Sequence, residues 1–282
     1  MAKKITELAE LTDVASDDLL VVVDKSDTSM ADSGTDKKVQ KVNLLKGLVP
    51  ENGWIPAGET WTYASADDPT FTFTISGDKT SKYSAGMRIK LTQTSVKYFI
   101  ITAVSYSSPN TTITVYGGTD YDLVNATITS PYYSTQKAPQ GFPLNPDKWS
   151  VKVTDASSRE KSSPANGTWY NLGSMVLSIP IGDWDIFYTT DCYAVATEGR
   201  IDINTTLSTS PSSESSAIFT ERMTLAPVSF SGFTFSHRNH LTLTSKTNYY
   251  LNMRVVNSNS PTLLARDGAT VPATIRATCA YL

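Results

Sequence analysis

Apolar and polar positions alternate with a period of two through much of the chain. In FTFTI, Phe71, Phe73 and Ile75 fall on one face, and in MRIKL so do Met87, Ile89 and Leu91. Such alternation predicts half-buried strands. KYFIITAV, residues 97–104, is apolar on both faces, which suits a strand in the middle of a sheet. SSPN at 107–110 marks a turn and TTITVYGG the strand that returns from it. Helical periodicity is absent, so residues 50–137 predict a small all-β domain of five or six strands, a barrel or a sandwich. Residues 167–282 repeat the signal in TWYNL, MVLSI, DWDIFYTTDCYAVAT, RIDINTTL, AIFTERMTL, GFTFSH, HLTLTS, YYLNMRVV and TIRATCAYL. Strands at this spacing, separated by Gly, Pro, Ser and Asn turns, predict a two-sheet β-sandwich of jelly-roll type. The last strand then builds the C-terminal residues into a sheet.

Two stretches break the pattern. Residues 138–166 read as a linker, because Pro139, Pro143 and Pro146 favour a stiff, extended connection around the brief strand WSVKV. Trp149 and Val151 are expected to plug a neighbouring domain. Residues 1–49 are too thin in apolar side chains to make a core. Ile5, Leu8 and Leu11 form a sparse row, and Asn43 is placed to cap a short helix over Leu44–Leu48. Yet this segment holds one intensely apolar strand, Leu19, Leu20, Val21, Val22 and Val23, flanked by Asp17, Asp18 and Asp24. Apolar surface that cannot be buried internally is buried against something else. The five residues Leu19–Val23 are therefore the candidate partner-binding site, and residues 1–49 an attachment arm.

Composition removes several function classes. The net charge is −3 and no basic stripe is present, so nothing favours nucleic acid. No apolar run approaches the ~20 residues of a membrane span. MAKKITELAELTD lacks the apolar core of a secretory signal, which suggests synthesis and folding in a cytosol. The two cysteines, Cys192 and Cys279, have no CxxC partner or ligand set nearby and read as buried free thiols rather than a disulfide.

At this point the residues carry a resemblance. The pattern ITEL, ELT, DLLVVVDKSDT, SGTDKKV and NLL across residues 3–48 resembles the N-terminal module of bacteriophage tail fibres, tail spikes and head fibres. The block GWIPAGETWTYASADDPTFTFTISGD, through GMRIKLTQTSVKYFIITAV to YGGTDY, resembles a domain recurrent in phage virion proteins, where it follows the attachment arm. GFPLNPDKWSVKVTD followed by WYNLGSMVLSIPIGDW resembles phage structural proteins across the domain junction. The resemblance implies a virion component. Its arm would dock on capsid or tail proteins, its middle domain would act as stalk or collar, and its sandwich would face outward as the knob of a homotrimer. The alternative is a receptor-binding protein that recognises host cell-surface carbohydrate through exposed Tyr and Trp side chains.

Catalytic sets do not emerge. Glycoside hydrolysis needs two carboxylates at a defined separation. Asp183 and Asp185 around Trp184, and Asp120 and Asp122 around Tyr121, have the i, i+2 spacing that shares a face in extended backbone. Both pairs lie near predicted turns, where solvated Asp is ordinary. His237 and His240, the only histidines, are three apart and point to opposite faces of a continuous strand, against a shared metal. There is no GxSxG elbow and no phosphate-binding glycine loop. The expectation is a protein with no enzymatic activity, no cofactor and no metal.

Overall fold

A computed structural model describes residues 19–40, 52–225, 231–256 and 259–282, and the chain divides into two compact units, Met1–Glu51 and Asn52–Leu282. Among the described residues there is no α-helix. The chain is built of strands, with single 3-10 turns at Pro146–Trp149 and Ala217–Phe219.

In the first unit, β1 (Leu19–Asp24) and β2 (Thr35–Gln40) form an antiparallel hairpin with Val21 opposite Lys38 and Val23 opposite Asp36. Carboxylates organise the turn: Asp24 accepts from the Ser26 N–H and Asp27 from the Ser29 N–H, each at 3.0 Å. Asp27 also pairs with Lys37 at 2.6 Å. Gly34 closes the hairpin with φ +120°, and a Cβ there would lie 2.8 Å from the Asp24 carbonyl oxygen. The sequence requires glycine at that point. The predicted row of Ile5, Leu8 and Leu11 and the helix at Leu44–Leu48 lie outside the described residues.

The second unit starts with β3 (Ile55–Pro56), β4 (Thr62–Asp67), β5 (Thr70–Ser76), β6 (Arg88–Gln93), β7 (Ser95–Ser107), β8 (Asn110–Tyr116) and β9 (Thr129–Ser134). They form one antiparallel sheet in the order β3-β9-β6-β7-β8-β5-β4. The sheet is open: β3 and β4 end it and do not pair, so the barrel alternative is corrected. One face buries Phe71, Phe73, Ile75, Ile89, Leu91, Phe99 and Ile101, with Trp61 stacked on Phe73 at 4.5 Å. β7 is apolar on both faces, as its sequence predicts. Ile100 points away from that core and, with Tyr116 of β8, enters a second one.

The second core lies in a β-sandwich made by β10 (Ser150–Asp155), β11 (Arg159–Ser162), β12 (Val176–Ile179), β13 (Gly182–Glu198), β14 (Ile201–Ser208), β15 (Glu221–Leu225), β16 (Ser231–Leu243), β17 (Thr247–Val256), β18 (Asn259–Arg266) and β19 (Ala273–Cys279). β13 is the spine of a six-stranded sheet. β16 pairs along one flank, while β19 covers its first half and β18 its second on the other. β10 and β11 extend the sheet beyond β19 and β18. The facing sheet runs β12-β17-β14-β15. Between them lie Trp184, Ile186 and Tyr188 of β13, Ile203 and Leu207 of β14, Leu251 and Met253 of β17, and Ile275 of β19. Alternate residues of facing strands fill this interior, the packing that period-two patterning demands.

Several elements differ from expectation. TWYNL makes only an isolated bridge, Tyr170 to Met253, not a strand. GFTFSH and HLTLTS are one strand, β16, because HRNH stays extended. β18 was hidden by NSNSP, which reads as a loop. Pro261 sits opposite Ala196 at a register shift in β13, a place where a missing N–H is tolerated.

Residues 138–166 lend two strands, β10 and β11, to the sandwich sheet, and Trp149 and Val151 pack into its core, as expected of a plug. Phe142 stacks on Trp149 at 5.0 Å and 6°, and the buried Trp149 indole donates to the Pro143 carbonyl at 2.7 Å. Trp54, just before β3, and Ile100 and Tyr116 of the first sheet share one continuous cluster with Phe142, Trp149 and Trp184. Tyr116 meets Trp184 edge-on at 5.0 Å. The seven-stranded sheet and the sandwich therefore form one unit, sealed by aromatic rings at the proline-rich stretch.

Candidate functional site

The valines of β1 are the most solvent-exposed apolar strand in the described structure. Val21 is 76% exposed, Val23 57% and Val22 36%. Val21 and Val23 share one face of the hairpin and Val22 takes the other, because strand side chains alternate. Among the described residues no second layer covers either face of this two-stranded ribbon. β1 pairs with β2 alone among the described residues, so its other edge carries main-chain donors and acceptors without a strand partner. Beside it, Val23, Met30, Ala31 and Gly34 border a concavity of about 470 Å³. Leu19 and Leu20 continue β1, opposite Gln40 and Val39, but their side chains lie outside the description. Charge frames the strand: the Lys37 ammonium, with the Ser29 N–H and hydroxyl, holds the Asp27 carboxyl well below its ordinary value.

The candidate catalytic residues are placed without a shared site. Asp183 and Asp185 do lie on one face of β13, as the spacing predicts. Asp185 is exposed and sits 3.2 Å from the His240 ring, whereas Asp183 is engaged by the Tyr281 hydroxyl and has one buried oxygen without a partner among the described residues. Burial and the nearby Asp183 carboxylate push the Tyr281 hydroxyl upward. Asp120 is held in the turn after β8 by Lys148 and Thr119, while Asp122 offers its carbonyl to Lys97 at 2.7 Å. His237 turns inward, 2.6 Å from Glu221 and stacked on Tyr188, while His240 points outward. Among the described residues no group of three His, Cys, Asp or Glu side chains gathers around a metal-sized space.

Cys192 and Cys279 are free and buried, and burial pushes their thiols up to about 12 and about 11. A thiol so displaced carries almost no thiolate near neutrality and is a poor nucleophile or ligand. Among the described residues no helix is long and apolar enough to cross a membrane. Sequence reasoning missed a cationic cleft on the outer face of the six-stranded sheet. Its residues come from four strands, and only the register brings them together.

No family model matches the chain, and no curated protein sequence matches it. Solved structures offer distant likenesses. Dimeric latent PorU from Porphyromonas gingivalis is similar over 79% of this chain and 24% of its own, with 9% identity and a TM-score of 0.26. A structure of infectious bursal disease virus, Gx strain, is similar over 87% of this chain and 65% of its own, with 13% identity and a TM-score of 0.27. The VP2 subviral particle of the same virus gives 97% and 79%, 13% identity and a TM-score of 0.23. The chain thus spans about a quarter of PorU and just under two-thirds of the Gx-strain chain. With TM-scores this low the neighbours assign it neither a family nor a role.

Proposed function

We propose that the chain is a non-enzymatic component of a bacteriophage virion: a short surface fibre or spike, held on capsid or tail proteins by its N-terminal arm. The observation that carries this reading is the exposed Val21–Val23 segment on a hairpin with an open edge, inside the stretch whose sequence resembles phage attachment modules. A virion protein that adds a strand to β1 would satisfy its open edge and cover its valines together. Burying Val21 and Val23 is worth about 1.5 kcal/mol each, enough with the added main-chain hydrogen bonds to hold the arm in place. The Asn52–Leu282 body then projects from the particle, with the sandwich as its outward knob. Three copies would also shield β16, which among the described residues pairs only with β13 and exposes Phe233 (43%). A carbohydrate-recognition role would be compatible with this placement and would use a different surface.

The test is Val21→Asp together with Val23→Asp in the full chain, supplied during infection by the phage that encodes it. The variant should fold and stay soluble, yet its copies per virion should fall about tenfold or more, since two buried carboxylates cost more than the lost apolar contact. Wild-type incorporation of the double variant would defeat the attachment reading.

A further inference from the structure

The outer face of the six-stranded sheet holds a cleft of about 490 Å³. Its floor is a single row across four strands. Lys152 of β10 pairs with Arg276 of β19, Arg276 with Phe187 of β13, and Phe187 with Arg238 of β16. Thr274 and Thr278 flank Arg276 on the same face and line the same cleft. Three cations and one aromatic ring thus lie in register on a protein whose net charge is −3.

The cations are not neutralised alike. Arg276 is anchored: its guanidinium donates to Ser150 Oγ at 3.2 and 3.0 Å and lies 2.8 Å from the Asp147 carboxylate. Among the described residues, Lys152 and Arg238 have neither an ion-pair nor a hydrogen-bond partner. Asp185, on the cleft wall, is turned to His240. Like charges directly opposite on neighbouring strands, as Lys152 and Arg276 are, weaken a sheet. Asp147 offsets the Arg276 side of that pair, while Lys152, and Arg238 opposite Phe187, have no counter-charge from the described residues. An external anion would supply it.

We propose that this cleft binds an acidic glycan, with carboxylate or sulfate groups held by Arg238 and Lys152 and a sugar ring resting on Phe187. The dimensions and chemistry select this class. Four strands at about 4.8 Å spacing put Lys152 and Arg238 about 14 Å apart, the span of a short oligosaccharide and not of a single anion. Phe187 gives the apolar face of a sugar ring its contact at mid-row. The Thr278 and Thr274 hydroxyls, bonded to Ser150 Oγ at 2.9 Å and Thr154 Oγ1 at 3.3 Å, keep acceptor lone pairs for ring hydroxyls. Single-stranded nucleic acid fits less well: it needs successive stacking platforms along a cationic groove, and one ring and three cations do not provide them.

The test uses the full chain and titration calorimetry against four probes: oligogalacturonate, a heparin-derived oligosaccharide, a dextran oligosaccharide and oligothymidylate. At least one of the two acidic sugars should bind, with affinity falling as salt rises, and dextran should not. Carboxylate against sulfate preference will read out as the stronger of the two. Arg238→Ala and Phe187→Ala should each weaken binding about tenfold or more, the usual scale for a charge-assisted or aromatic contact. Arg238 is exposed, so its variant keeps the fold, which circular dichroism checks. Absence of binding to both acidic sugars, unchanged affinity in Arg238→Ala, or tighter binding of oligothymidylate would each overturn the proposal. The inference does not rest on virion attachment: Lys152→Ala with Arg238→Ala should enter virions normally, so the two readings fail separately.

Discussion

Arg88 offers the sharpest test of how the seven-stranded sheet is joined to the C-terminal residues. It opens β6 and is 0% exposed. Its guanidinium donates to the carbonyls of Lys137 at 3.0 Å, Gly86 at 2.6 Å and Tyr281 at 2.8 Å, and stands 5.0 Å over the Phe142 ring. Burial pulls its proton affinity below the ordinary arginine value. In Arg88→Met the length and volume are nearly kept while three carbonyls lose their donor. Hydrogen bonds to a charged group are worth about 1.5–3 kcal/mol each, so the gross loss is about 5–9 kcal/mol. Removing a buried cation returns several kcal/mol of desolvation. The net expectation is a loss of about 3 kcal/mol. In urea unfolding followed by tryptophan fluorescence, this is a midpoint about 1 M lower if the slope is about 3 kcal/mol/M. Hydrogen exchange should also quicken at residues 279–282, because Arg88 holds the Tyr281 carbonyl. A stability change within about 1 kcal/mol, with exchange at those residues unaltered, would refute the account.

Two further outcomes are expected. Burial alone would raise the Asp155 carboxyl, but the Arg159 and Ser157 hydrogen bonds and the Arg266 charge hold it at about 2. A depressed carboxylate stabilises above its unfolded value near 3.8 and loses that contribution as pH falls through about 2. Asp155→Asn should therefore be about 2 kcal/mol less stable at pH 7, with the gap narrowing between pH 4 and 2 in urea midpoints. A gap that is constant with pH would show that the carboxylate charge is not what matters. Light scattering of the full chain should give about three times the 30.7 kDa chain mass, and a monomer would remove the homotrimer from the proposed function.

Much of the architecture was legible because strands that are half-buried must alternate. Phe71, Phe73 and Ile75 declare a face before any contact is known, and KYFIITAV declares a strand buried on both sides. Gly34 and the aspartates of residues 24–27 likewise announce a turn by local chemistry. The exposed valines of β1 were legible for the same reason: five apolar residues in a segment too poor in others to cover them. β18 was not legible, since only its pairing with β13 and β11 turns NSPTLLAR from loop-like composition into a strand. Trp149 and Val151 were legible as plugs, but the pairing of β10 with β19 and β11 with β18, and the stacking of Phe142 on Trp149, were not, because prolines advertise stiffness and not partners.

By itself the sequence determined what each residue prefers over the span of a strand: its face, its turn, its need for a covering layer. Those preferences act between neighbours in the chain, so they survive without a fold. Tertiary structure alone decided which strands lie side by side, and therefore that the first sheet and the sandwich share one aromatic core. It also decided that Lys152, Arg276, Phe187 and Arg238, scattered over more than a hundred positions, form one row. Register between distant strands is fixed by the summed burial of whole faces, and no local stretch contains that sum.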